Sequence, residues 1–452
     1  MKLTSLFFYF AVAVALVSCG QSAKNVTPPP TSPQESNLSD SDLLTLVQRQ
    51  TFNYFYEGAD SASGMAFERI HLDNIYPDND ADVIATGGSG FGIMNLIVGC
   101  RRDFITYDQF TVQMNKIVTF LEKADKYHGM FSHWYYPTGH TKPFGQKDDG
   151  GDMVESSFLF QGLLCARQYI KMNGNDANNL ANRIDTLWQN ADYNWYTQGG
   201  QNVLYWHWSP NYGWQMNFAI HGFNECLIAY VLAASSPAYS INKQVYVSGW
   251  CSDGAIVKPS SYKNIPLQFL QQGNEPYGGP LFWTHYSFIG LNPNGLNDQY
   301  GDYGQETKNM SLINYQWCVD NPKKFVNYSD SCWGLTASYS VNGYAAHAPN
   351  MDNDLGVITP TAALSSFPYT PQQSMQALRG FYYRLGGLIW GKYGFYDAFS
   401  ETANWYPPHY LAIDEGPIAP MIENYRTGLL WQLFMSCPEV QQGLSKLGFY
   451  YK

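Results

Sequence analysis

The stretch Lys147-Asp148-Asp149-Gly150-Gly151-Asp152-Met153-Val154-Glu155-Ser156 runs directly into Ser157-Phe158-Leu159-Phe160-Gln161-Gly162-Leu163-Leu164-Cys165-Ala166. The second half is a helix-like apolar run. The first half places four carboxylates within eight residues on a glycine-loosened turn. With Asp152 at the helix start, Asp152 and Glu155 lie three apart and share a face at the positive end of the helix. Asp148 can then fold back toward them. Carboxylates crowded in this way repel one another, and the crowding can hold one of them protonated for acid catalysis. Ordinary capping by Asp152 with solvated neighbours would explain the stretch by itself, so the rest of the chain has to decide.

Downstream the same grammar returns. Gly222-Phe223-Asn224-Glu225-Cys226-Leu227 opens an apolar helix with a carboxylate, and Ile413-Asp414-Glu415-Gly416-Pro417-Ile418 opens another. A proline is tolerated near a helix start, which suits Pro417, with Pro420 one turn further in. Between these apolar helices lie amphipathic ones. One runs over 42–55 after Ser39 or Asp40 as cap, and another over 108–127 with Phe110, Met114, Ile117, Val118 and Leu121 on one face. Further segments lie at 176–188, 305–321 and 371–385, and the unit is also expected to recur at 331–337. The helical segments number about a dozen, without a convincing run of alternating strands. Paired helices that close on themselves give an all-α toroid, the (α/α)6 barrel, with apolar inner and amphipathic outer helices. The stretch 239–296, rich in Pro, Gly and Asn, is expected as a long loop excursion over the pocket mouth.

Upstream of the carboxylate turn, Thr86-Gly87-Gly88-Ser89-Gly90-Phe91-Gly92-Ile93 could be mistaken for a phosphate loop. It lacks the preceding strand, the lysine and the spacing of one, and reads instead as the entry of a tightly packed helix whose backbone lines a pocket. The N-terminus, Met1-Lys2 and an apolar run ending Leu16-Val17-Ser18-Cys19, has the pattern of an export signal. It resembles a bacterial lipoprotein processing site, with Cys19 as the lipidated first mature residue. The expected organisation is a signal over residues 1–18, a Ser/Pro/Asn/Thr-rich tether over 19–39 and a single domain over 40–452. Such a protein would sit lipid-anchored in the periplasm or at the cell surface, touching the membrane only through that anchor.

A net charge of −11 with no basic cluster argues against nucleic acid as a partner. Apart from Cys19, the cysteines at 100, 165, 226, 251, 318, 332 and 437 are odd in number and scattered, which is neither a disulfide framework nor a zinc motif. Thirteen tryptophans and 35 tyrosines suit flat hydroxylated ligands such as sugars, whose C–H faces stack on rings while their hydroxyls bond at the rim. A glycosidic bond is cut by a carboxylic acid on one side and a carboxylate on the other, and carboxylates on different helices round a toroid can span the wider gap that leaves room for a water. Calcium at Asp148, Asp149 and Asp152 lacks the loop spacing, and His128, His133, His140, His207 and His221 fit no zinc pattern. No metal and no cofactor is expected. Serine catalysis lacks its nucleophile elbow. A non-catalytic oligosaccharide-binding lipoprotein would use the same aromatics, but gives no reason for separated carboxylates at helix entries.

The motifs Gly64-Met65-Ala66-Phe67-Glu68-Arg69, Thr86 to Ile93, Asp149-Gly150-Gly151-Asp152-Met153-Val154-Glu155-Ser156, Gly222-Phe223-Asn224-Glu225 and Ile413-Asp414-Glu415-Gly416-Pro417-Ile418 together resemble the bacterial glucoamylase-like family grouped as glycoside hydrolase family 144. The likeness runs over roughly 43–446. It implies an (α/α)6 toroid that hydrolyses β-1,2-glucan or its oligosaccharides by an inverting route, endo or exo, without a cofactor; a monomer is expected. It places the acidic pocket on Asp148, Asp152, Glu155, Glu225 and Asp414, with Glu225 as general acid and Asp414 as base. It adds Arg69, Trp214 and Trp283 as groups that grip hydroxyls or stack on a ring. A glucoamylase-like hydrolase acting on another glucan linkage is the variant reading.

Overall fold

A computed structural model of the chain describes residues 37–77 and 80–452. Cys19, the signal and nearly all of the tether lie outside the described residues. Among those residues twelve helical segments alternate between an outer and an inner ring. The outer ones are α1 (Asp40–Tyr56), α3 (Tyr107–Lys123), α5 (Leu180–Gln189), α7 (Lys243–Val245, continuing as a π-helix Tyr246–Trp250), α9 (Tyr303–Asp320) and α11 (Pro371–Arg379, continuing through Gly380–Leu385 into α12, Gly386–Ile389). The inner ones are α2 (Thr86–Arg101), α4 (Met153–Asn173), α6 (Leu227–Ser235), α8 (Phe282–His285), α10 (Pro360–Leu364) and α13 (Ala412–Thr427). Two further helices, α14 (Leu429–Met435) and α15 (Pro438–Leu447), pack on α4 and α6. The all-α toroid read from the sequence is the fold, decorated by short antiparallel strands.

Burial separates the rings as the patterning requires. Every residue of α6 and of α10 is buried, and α2 is buried continuously from Thr86 to Gly99, whereas α3 buries only the face holding Phe110, Met114, Ile117, Val118 and Leu121. A helix apolar all round belongs in an interior, and one with a stripe belongs at a surface. Close contact between α2 and α4 depends on glycine: a Cβ on Gly90 would run into the backbone of Phe158 and Leu159, and one on Gly162 into the carbonyl of Gly90. The glycine cluster is thus a packing device, as the sequence reading has it.

The helix ends follow their sequence signals. Ser39 caps α1 by accepting from the Asp42 N–H, and Thr106 with Gln109 forms a reciprocal capping box on α3. Gly174 ends α4 in the left-handed conformation at φ 71°. Pro420, inside α13, cannot donate to the Gly416 carbonyl, and Asn95 Nδ2 of α2 fills that place at 2.8 Å. The ring closes where the strand Arg69–His71 pairs antiparallel with His409–Leu411, in the register Arg69 to Leu411. The Ala412 N–H then donates to the Glu68 carbonyl, which fixes the start of α13 beside the start of α2.

Two expectations are corrected. The stretch 239–296 is not a loop excursion. It supplies α7 with its π-helical continuation, a hairpin of Val257–Tyr262 with Ile265–Phe269, and the inner helix α8. Its pieces are short, and Pro259 and Pro266 sit inside the hairpin strands themselves, so no long periodic run marks them. Residues 331–337 are not helical, and the partner of α9 in the ring is α10, whose start is marked by Pro360 at its first position.

Candidate active site

The inner helices bring their N-terminal ends to one side of the toroid, and the carboxyl groups singled out in the sequence stand there. Asp152 is the N-cap of α4. Its Oδ1 accepts from the Val154 and Glu155 N–H groups at 3.0 and 2.9 Å. Its Oδ2 accepts from His133 Nδ1 at 3.0 Å and from Trp206 Nε1 at 3.1 Å. Asp148 does fold back: its Oδ2 lies 3.6 Å from His133 Nδ1 and 3.3 Å from His207 Nε2. The short pairing of Gly151–Asp152 with His207–Trp208 brings that second histidine in.

Protonation in this cluster is divided. Burial works against a charged imidazole, but Glu155 and the hydrogen-bonded Asp148 and Asp152 outweigh it and hold His133 protonated well above the usual histidine range. Burial likewise opposes the charge of Asp152. The hydrogen bond from His133, the nearby His207 and the cap N–H groups overcome it and keep the carboxyl below its ordinary value. Glu155, one turn on, is pushed up to about 8 by burial, with Asp152 and Glu68 adding to the rise and His133 opposing it. Its Oε2 accepts from the Gly87 N–H at 2.8 Å, at the start of α2, which has no side-chain cap. A Cβ at Gly87 would collide with that oxygen, so glycine is what lets the backbone approach.

Glu225 lies at the entry of α6, where Asn224 Oδ1 accepts from the Cys226 N–H and the Glu225 carbonyl accepts from the Ser287 hydroxyl. Burial lifts its carboxyl to about 7, and Oε2 is buried without a hydrogen-bond partner. Asp414 stands in the first turn of α13. Its Oδ1 accepts from the Tyr286 hydroxyl at 3.4 Å, and Oδ2 is buried and unpartnered. Burial first, and then the neighbouring Asp397 and Glu415, raise Asp414 well above the carboxylate range. Tyr286 of the segment following α8 feels the charges of Asp414, Glu155 and Glu225 together, so the three helix entries share one electrostatic field.

The other expected residues fall around this field. Arg69 lies 3.8 Å from Glu68 and 5.5 Å from the Trp134 ring centroid. Trp283 is nearly buried against the backbone of Gly279. Trp214 stands further out, in a cluster with Trp195, Tyr196 and Tyr205 at centroid distances of 6.3, 5.8 and 6.0 Å. Tyr196 in turn lies in the field of Asp152 and Asp148, so the cluster borders the carboxylates rather than meeting them. Glu415 is buried, and its carboxyl is raised by burial and by Asp397, so it shares the field of Asp414.

Sequence reasoning passed over His133 and His207, which it weighed only as zinc ligands, and it assigned no role to Glu68, Tyr286 or Asp397. His133, Asp148 and Asp152 offer donor atoms close enough for one cation. The protonated His133 already lies 3.0 Å from Asp152 Oδ2 and 3.6 Å from Asp148 Oδ2. The signal that was available was alternation: an acid or histidine recurs in the loop before each inner helix, Asp397 among them.

The Glycoamylase family model ("putative glucoamylase") matches residues 217–438, the half that carries Glu225, Asp397 and Asp414. An endo-β-1,2-glucanase from Chitinophaga pinensis, solved with sophorotriose and glucose, is 57% identical with a TM-score of 0.90, over 92% of this chain and 99% of that one. A curated exo-β-1,2-glucooligosaccharide sophorohydrolase from Parabacteroides distasonis is 44% identical over 427 residues, 91% of this chain, and the chain spans 58% of that relative's length. An endo-β-1,2-glucanase from Talaromyces funiculosus shares the fold at 10% identity and a TM-score of 0.63.

Proposed function

Because the chain belongs to the bacterial glucoamylase-like family grouped as glycoside hydrolase family 144, we propose that it hydrolyses β-1,2-glucan or β-1,2-gluco-oligosaccharides by direct, inverting displacement. One observation carries the reading: at two separate helix entries Glu225 Oε2 and Asp414 Oδ2 are buried without a hydrogen-bond partner, as are Asp148 Oδ1, Asp397 Oδ1 and Glu415 Oε2 around them, while the neighbouring Asp152 has all its donors in place. A group that must give or take a proton needs an oxygen free for substrate or water. Asp152 has none to spare and acts as a fixed negative charge that keeps His133 protonated and Glu155 neutral.

Glu225, carrying its proton up to about pH 7, donates it to the departing glycosidic oxygen. In its ionised form, which burial and the neighbouring Asp397 and Glu415 disfavour, Asp414 takes the proton from the water that attacks the anomeric carbon from the opposite face, either directly or through an intervening hydroxyl. The C–O bond to the leaving sugar breaks as the new one forms, and both carboxyls end with their protonation exchanged. Asp148, Glu155, Arg69 and Trp283 are assigned to the sugar hydroxyls and ring faces, with Trp214 toward the rim. Incubation with linear β-1,2-glucan should release new reducing ends, initially of the opposite anomeric configuration by proton NMR. Binding without cleavage would leave a carbohydrate-binding lipoprotein in its place. Products larger than sophorose would mark endo action, and sophorose alone exo action.

We also propose that the chain is anchored through a lipidated Cys19. The Leu16-Val17-Ser18-Cys19 ending and the Pro-rich tether support this. Among the described residues no helix is long and apolar enough to cross a membrane.

A further inference from the structure

A pocket of about 260 Å³ opens between residues 219–222 and 270–274, neither of which has a part in the mechanism above. Hydrogen bonds tie its walls to two helix entries. The Phe223 N–H donates to the Leu270 carbonyl at 2.9 Å, and the Gln272 N–H donates to the Phe223 carbonyl at 3.1 Å, two residues before Glu225. At the other end Ala219 bridges to Tyr205, and the Trp206 N–H donates to the Phe218 carbonyl at 3.0 Å, while the Trp206 indole donates to Asp152. The wall 219–222 is therefore strung between the settings of Asp152 and Glu225. Its facing wall is just as fixed. The amide of Gln271 is oriented by two bonds, Nε2 donating to Glu306 Oε1 at 2.8 Å and to the Phe269 carbonyl at 3.2 Å.

That orientation leaves Gln271 Oε1 buried without a donor, on a side chain that lines the pocket and is 2% exposed. A stranded acceptor costs free energy that a ligand hydroxyl restores. His221 Nδ1 lies 2.7 Å from the Gly249 carbonyl, so it carries the ring proton and Nε2 is left as an acceptor. Between the pocket and Glu225, Asn224 Nδ2 is buried without an acceptor. Gln272 and Asn274 complete a polar lining over Leu270 and Ala219, and among the described residues no Lys, Arg, Asp or Glu lines it. Uncharged hydrogen-bonding groups over a small apolar floor suit a neutral, hydroxylated ring, and the volume suits one sugar rather than a chain. We propose that this pocket is a subsite for one glucosyl unit of the leaving group, held through its hydroxyls by Gln271 and His221. The inference rests on the reading of Glu225 as acid: the acid stands beside the departing oxygen, so a sugar bound along the Glu225 segment belongs to the leaving side. Contacts to its hydroxyls are made alike before and during bond breaking, so they lower KM and leave kcat alone.

The test uses Gln271→Met and His221→Ala, each checked for the wild-type circular dichroism spectrum, so that either folded variant suffices. Kinetics are measured on linear β-1,2-glucan, and binding of a β-1,2-gluco-oligosaccharide is measured by calorimetry with each substitution placed in the Glu225→Gln background. KM should rise about fivefold or more with kcat within about twofold, and Kd should weaken by a similar factor. Unchanged KM and Kd in folded variants overturn the subsite, and so does a fall in kcat at unchanged KM. A wild type that binds the oligosaccharide without cleaving it overturns the hydrolase reading, and the Kd comparison then decides the pocket separately. A wild type that neither binds nor cleaves overturns both.

Discussion

Replacing Glu225 with glutamine separates catalysis from stability. Burial lifts this carboxyl from 4.5 to about 7 in the folded protein. Below pH 4.5 the folded and unfolded chains both hold the proton. Between 4.5 and about 7 the unfolded chain releases it while the folded chain keeps it, so the wild type loses stability as pH rises, and the loss is complete above the folded value. A rise of about 2.5 units at about 1.36 kcal/mol each amounts to about 3 kcal/mol. Glutamine does not titrate, and any cost of its amide in the pocket is the same at every pH. Urea unfolding of both proteins from about pH 4 to about pH 8 should therefore show the variant gaining about 3 kcal/mol on the wild type toward the alkaline end. Turnover on β-1,2-glucan should fall by at least about 10²-fold. A stability difference that stays flat across the range would refute burial as the cause of protonation. Near wild-type turnover would remove Glu225 from the acid role and pass it to Glu155, another carboxyl that burial keeps protonated.

Asp414→Asn should cost at least about 10²-fold in turnover while binding of the glucan survives, and a glycoside whose leaving group needs no proton should rescue Glu225→Gln but not Asp414→Asn. Asp152→Ala should lower both stability and activity. It strips two N–H groups of their cap, worth about 0.5–2 kcal/mol, and leaves the buried His133 charge with one fewer counterion, which chemical denaturation would register as a loss above the cap value alone. Gly87→Ala reverses the usual sign for a helix: alanine ordinarily stabilises by about 1 kcal/mol over glycine, but here its Cβ meets Glu155 Oε2, so both the melting temperature and turnover should fall. Cys19→Ala should release the protein from the membrane fraction, and intact mass should lose the lipid; a variant still lipidated refutes the anchor.

The sequence by itself determined the elements and their order. An apolar run closed by Gly174, a capping aspartate at 152 and glycines at helical contact points are local codes, because propensity, capping and close approach act within a few residues or between neighbouring helices. That Asp152, Glu225 and Asp414 would open inner helices was legible for the same reason. The pair α7 and α8 was not, because a helix interrupted by a π-turn or only four residues long leaves no period to read. Only the tertiary structure decided which carboxyls are charged. His133 and His207 reach Asp148 and Asp152 from different loops, and the Asp397 N–H is held by the carbonyl of His409 in the strand that leads into Asp414's helix. Proton affinity is set by burial and by charges a few ångströms away, and those distances exist only once the ring has closed and brought residues far apart in the chain into one low-dielectric pocket.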